Sequence, residues 1–297
     1  MNNTTRGTLE MTAAMIISGT IGWLVTLSGR PVTEVVFWRC LFGALTLLPV
    51  CAAMGLLRYG RVSRRQLLLA ALGGVAIVVN WLLLFAAYSR ASISIATAVY
   101  NTQPFMLVGL GALFLHERLT RAKLGWLLLS FAGLLLIVQA RPDAAVSSSD
   151  YLMGILLALG AAFFYALAAL ITKKLSGMPP HLIALVQVLV GTVLLLPFAL
   201  QSHDAIAPAS WSLLMTLGVV HTGLMYILLY GAIQRLPTHL TGALSFIYPV
   251  VAFIVDAVAF GHRLHPLQMA GTAAILLAAA GMMRVKRLPA QPCAVND

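Results

Sequence analysis

Residues 68–90 read LLAALGGVAIVVNWLLLFAAYSR and residues 213–235 read LLMTLGVVHTGLMYILLYGAIQR. Each stretch is uncharged up to its final arginine and, wound as a helix, is long enough to cross the roughly 30 Å of bilayer hydrocarbon. The apolar residues run on without alternation, which favours helices over the strands of a closed barrel. The two stretches also match each other. A shift of 145 lays residues 68–119 over residues 213–264 without a gap, and 14 of those 52 positions are identical. Leu and Ala matches carry little weight in so apolar a chain. Gly73 with Gly218, Arg90 with Arg235, Pro104 with Pro249 and Arg118 with Arg263 carry more.

Working outward, shifts of 147 and 148 pair Gly7 with Gly154, Gly43 with Gly191 and Pro49 with Pro197. The duplication thus reaches the first apolar run, which is expected to be a helix of the fold and not a cleaved leader. Ten windows have spanning length: 9–28, 34–56, 66–88, 92–114, 121–140, 151–173, 181–200, 211–233, 239–260 and 267–284. Breakers such as Gly29-Arg30-Pro31, Met178-Pro179-Pro180 and Leu264-His265-Pro266 separate them. The polar stretch RPDAAVSSSD, residues 141–150, divides a first unit, 1–145, from a second, 146–297.

Composition agrees. With 61% hydrophobic and 9% charged residues and a mean hydropathy of +0.95, the 297-residue chain has too little polar surface for a soluble protein, which normally carries about a quarter charged residues. The net charge of +11 does not indicate nucleic acid, because Lys and Arg fall in short clusters between apolar runs. With the N-terminus inside, 14 of the 19 lie on one side of the membrane and four on the other, so both termini are expected to be cytoplasmic. Cys40, Cys51 and Cys293 form no disulfide framework, and no metal-binding or nucleotide-binding motif occurs. No metal and no cofactor are expected.

Each unit holds five helices, an odd number, so the second enters the membrane from the opposite side. The expected fold is an all-α integral membrane protein of ten transmembrane helices arranged as a 5+5 inverted repeat, a recurring plan of secondary transporters.

The runs from Pro104 to Thr120 (PFMLVGLGALFLHERLT) and Pro249 to His265 (PVVAFIVDAVAFGHRLH), with Trp38-Arg39 in the second helix, resemble the EamA-type branch of the drug/metabolite transporter superfamily. The resemblance covers nearly the whole chain, with one departure: His262 stands where the family often has Glu, as at Glu117 in the first unit. It implies a multi-pass protein of the bacterial inner membrane that exports amino acids or other metabolites; the aromatic-amino-acid exporters are most similar.

Candidate site residues follow from polarity at depth. Pro104 and Pro249 lie about 12 and about 10 residues into their windows, near the bilayer midplane, where a proline removes a donor and serves as a hinge. Around them stand Asn80, Trp81, Tyr100, Asn101, Tyr165, His221, Tyr226, Ser245 and Tyr248, the candidate substrate-binding set. Deep polar groups face a bundle interior or a pathway, although any single Asn or Ser equally serves helix packing. Ring-lined walls suit a flat apolar cargo and its ammonium. Arg39 and Asp256 sit at equal depth and are expected to form a gate or a coupling pair; Arg39 holding a substrate carboxylate and Arg39 snorkelling to the headgroups are the alternatives.

The expected partners are a small-molecule substrate and the lipid bilayer, with no nucleic acid and with either a monomer or a homodimer. Drug-like, lipid-linked or nucleotide-linked cargo on the same fold, and a membrane-embedded lipid enzyme, are the competing readings. The enzyme would need converging acids, bases or a metal, and the eight Asp and Glu are scattered.

Overall fold

The computed structural model describes residues 3–57, 62–115, 121–139, 148–175, 177–201, 206–236, 244, 247–262 and 265–284. Among them there are helices and no strands. The first span combines α1 (Asn3–Gly19) and α2 (Ile21–Ser28), interrupted at Thr20. Gly29 ends it in the left-handed conformation, φ 61°, and its N–H bonds back to the Thr26 carbonyl, a common way to close a helix. Then come α3 (Val32–Ala53), which contains Pro49, and α4 (Arg64–Tyr100). Ser63 and Gln66 form a reciprocal capping box at the start of α4.

α4 unites the third window with half of the fourth. The break expected between them falls at Ser92, which has φ 64° and ψ 161°. The fourth window is itself divided: after a turn at Asn101 and Thr102, α5 (Gln103–Leu115) begins, and Pro104 is its second residue. This corrects the placing of Pro104 about 12 residues into one continuous fourth helix. A proline lacks the N–H that an interior position must donate, and that loss costs nothing in the first turn.

α6 (Arg121–Gln139), α7 (Ser148–Lys174) and α8 (Pro180–Gln201) follow. The eighth window holds α9 (Pro208–Gly218), a π-helical turn at Val219–Leu224 and α10 (Met225–Arg235). α11 (Ile247–Phe260) carries Pro249, and α12 (Pro266–Arg284) completes the bundle. Among the described residues six helices are long and apolar enough to cross a membrane, and shorter apolar helices stand at the fifth, ninth and tenth windows.

The units interlock. α4 packs along α7, α3 against α8, α1 against α10 and α6 against α12, so each of these contacts joins the first unit to the second. The α6–α12 contact depends on small residues, since a Cβ on Gly133 would lie 2.6 Å from the Gly271 carbonyl oxygen. Such closeness is what allows helices to pack in lipid, where no hydrophobic force drives them together. The main apolar cluster lies among α3, α4, α7 and α8. Large apolar side chains such as Val258, Leu200 and Val193 cover the outside, as a lipid-facing surface requires.

Candidate functional site

At the centre is Arg39 of α3, with 2% of its surface exposed. Its Nε donates to Thr222 Oγ1 at 2.9 Å and its Nη2 to the His221 carbonyl at 3.4 Å. Both acceptors belong to the π-helical turn. There Thr222 Oγ1 donates to the Leu217 carbonyl, five residues back, at 3.1 Å, and His221 Nδ1 lies 3.2 Å from the Thr216 carbonyl. π turns of this kind often mark functional positions in helices. Gly43 allows the approach, with Thr222 against it.

The guanidinium carbon of Arg39 lies over Trp81, 4.3 Å from the ring centroid, and 5.6 Å from that of Phe85. Phe85 stacks on Tyr88 at 5.8 Å. Trp81, Phe85 and Tyr88 recur at helical spacing on α4, so one stripe of that helix supplies the aromatic bed. Tyr226, Tyr88 and Tyr100 lie within electrostatic range of the guanidinium. Arg39 therefore faces the bundle interior and does not snorkel to the headgroups. Among the described residues no carboxylate stands within ion-pair distance of it.

The expected Arg39–Asp256 pair does not form. Asp256 is fully buried on α11, where Oδ2 accepts from the Ser94 N–H at 2.8 Å and Oδ1 lies 2.9 Å from His262 Nδ1. The physical reason is the break at Ser92. The helix restarts there with N–H groups that have no intrahelical acceptor, and these hold the adjacent Asp256 carboxylate in place of a distant cation.

Asn80 is fully buried and donates through Nδ2 to the Tyr100 hydroxyl at 3.2 Å and to the Ala161 carbonyl of α7 at 2.7 Å. Its Oδ1 is buried without a hydrogen-bond partner. The Tyr100 ring meets Tyr165 edge to face at 5.9 Å, and Tyr165 is partly open. Tyr248, on α11, adjoins Tyr88 and Thr97. The structure thus groups Asn80, Trp81, Tyr100, Tyr165, Tyr226 and Tyr248 with Arg39. His221 supports this cluster by its carbonyl, while its ring bonds to Thr20 Oγ1 at 2.9 Å. Asn101 is drawn into the turn after α4, where its Nδ2 donates to the Thr97 carbonyl at 2.7 Å. Ser245 lies outside the described residues.

Sequence reasoning passed over Thr222 and Tyr88. The His221-Thr222 doublet inside an apolar run, and the spacing of Tyr88 from Trp81, were the signals that pointed to them. Among the described residues no group of three His, Cys, Asp or Glu side chains is placed to hold a metal ion. The chemistry on offer is recognition: a buried cation, flat aromatic walls and an uncommitted carbonyl oxygen.

The architecture of packed apolar helices in two matching units has a counterpart among known proteins, because residues 5–139 and again 152–284 match the EamA-like transporter family. The chain belongs to that family. It is similar to the uncharacterised transporter YxxF of Bacillus subtilis, with 30% identity over 277 residues, 92% of this chain and 87% of that one. It is also similar to the threonine/homoserine exporter RhtA of Escherichia coli, with 28% identity over 231 residues, 76% of this chain and 73% of that one. A probable amino-acid metabolite efflux pump of Salmonella typhimurium is 30% identical over 196 residues, 61% of this chain and 64% of that one. The EamA protein described here is accordingly a multi-pass membrane protein of transporter type, built from two repeated units and carrying a small-molecule substrate. Family and relatives point to transport and not to an enzyme.

Proposed function

We propose that this EamA protein exports amino acids, aromatic ones among them, across a bacterial inner membrane by alternating access. The observation that carries the reading is the Arg39–Trp81 pair within its ring of tyrosines, enclosed by helices of both units. A cargo seated there would touch α3, α4, α7, α10 and α11 at once, so rocking of one unit against the other would open the same site to each side in turn. The units, 1–145 and 146–297, are taken as inverted relative to one another, with both termini cytoplasmic. Breaks at Ser92 and at Asn101-Thr102, and the first-turn proline at 104, supply places where short helices can tilt without losing backbone hydrogen bonds within a long one. The amino-acid cargo is supported by the exporters among the relatives and the aromatic preference by the rings. No nucleotide motif is present in the sequence, so a gradient is taken as the driving force.

The test is uptake of radiolabelled amino acids into proteoliposomes containing only this protein, with and without a pH gradient. Saturable uptake of phenylalanine, tyrosine or tryptophan is expected, reduced about tenfold or more by Trp81→Ala, which removes a stacking and cation–π surface. Uptake of no amino acid by folded protein would overturn the reading.

A further inference from the structure

We infer that Arg39 is the carboxylate anchor of the cargo site, and that the site selects its cargo by the carboxylate more than by the ammonium. The inference rests on the transport reading above and narrows it. A guanidinium held away from water inside a span is costly unless an anion or a set of hydrogen bonds compensates it. The protein supplies Arg39 with two neutral acceptors, a hydroxyl and a carbonyl, and two aromatic faces. These orient the group without cancelling its charge.

Three carboxylates on described helices are committed to other partners. Glu10 pairs with Arg6 and Arg235, Glu34 with Arg30, and Asp256 with His262 and the Ser94 N–H. A carboxylate brought in by the cargo is the complementary charge, and arginine binds it through paired N–H donors in one plane. Trp81 lies against the guanidinium and also offers a wall for the body of the cargo.

The ammonium meets a different surface. Among the described residues no carboxylate faces the Arg39 cluster, and the acceptors it contains are neutral, above all the unpartnered Oδ1 of Asn80, next to Trp81 in sequence. A neutral oxygen and ring faces hold an ammonium less strongly than an ion pair holds a carboxylate. A carboxylate anchor would distinguish three molecules that share a phenyl ring on a two-carbon chain. Phenylalanine and 3-phenylpropionate both satisfy Arg39, and phenethylamine does not.

Binding of these three radiolabelled compounds to the purified full-length protein in detergent, alongside their uptake into proteoliposomes, tests the inference. In the wild type, phenylalanine and 3-phenylpropionate are expected to bind at least about tenfold more tightly than phenethylamine, a ratio that corresponds to one charge-assisted contact. Arg39→Gln is expected to remove that preference and Arg39→Lys to retain part of it. Equal binding of phenethylamine and 3-phenylpropionate by the wild type would overturn the inference, and this comparison needs no variant to fold. Undiminished carboxylate binding by Arg39→Gln, or binding of none of the three, would overturn it too. Selective carboxylate binding without uptake of any amino acid would instead sustain the anchor and defeat the export reading.

Discussion

Arg39 and Asp256 show how residues of similar depth can have unrelated tasks. Both were legible in the sequence as rare charges within spans, but their partners were not, because each depends on a backbone irregularity with no compositional signature. Thr222 reaches Arg39 from a π turn, and the Ser94 N–H reaches Asp256 from a helix restarted at Ser92. Separate partners have a testable consequence. Exchanging the charges, Arg39→Asp with Asp256→Arg, is expected not to restore what either single change destroys, measured as folded yield and uptake; restoration would show that the two side chains meet. Asp256→Ala leaves the Ser94 N–H buried and unpaired, which is expected to cost about 1–3 kcal/mol, read as a lower melting temperature in detergent. Asp256→Asn keeps an acceptor and is expected to cost less. Thr222→Val preserves shape and removes the oxygen that receives Arg39 Nε, so cargo affinity is expected to fall roughly twofold to tenfold while the protein remains folded.

At the level of elements, hydropathy located the apolar runs well and placed Pro104 and Pro249 correctly along the chain. It did not show that Pro104 opens a new helix, since a window of apolar residues does not distinguish one long helix from two short ones in series. Here the first-turn preference of proline, read together with the preceding polar Asn101-Thr102-Gln103, was the better guide. The π turn left no comparable trace. Small residues were ambiguous in another way: glycines on α6 and α12 suit packing within the chain as well as between chains. The structure separates them, with Gly133 and Gly271 in backbone contact and Gly125 facing open space. Gly133→Leu is therefore expected to force α6 and α12 apart and lower the melting temperature, an overpacking cost of at least about 1–3 kcal/mol. Gly125→Leu is expected to leave it nearly unchanged, and an equal loss from both would argue against the packing described here.

For the whole molecule, the duplication was the most informative feature of the sequence, because matched Gly, Pro and Arg across 145 residues are improbable in a chain dominated by Leu and Ala. The matched positions alone indicate two units, and the cross-unit pairs α3–α8 and α6–α12 show how they interlock. The grouping of distant side chains around Arg39 was only partly legible, since α3, α4, α7, α10 and α11 converge through packing that no local pattern encodes. Orientation is open to direct measurement. A fluorescent protein fused to the C-terminus is expected to glow, and alkaline phosphatase fused after Arg141, at the seam between units, to be active; the reverse pattern would turn the molecule over. Alternating access requires one cargo site, the Arg39–Trp81 cluster, opened to each side in turn. Counterflow tests it most directly: proteoliposomes preloaded with unlabelled phenylalanine and diluted into a trace of labelled phenylalanine. A transient accumulation of label, lost in Trp81→Ala, is the expected result, whereas flux that neither saturates nor responds to the preloaded amino acid would contradict an alternating site.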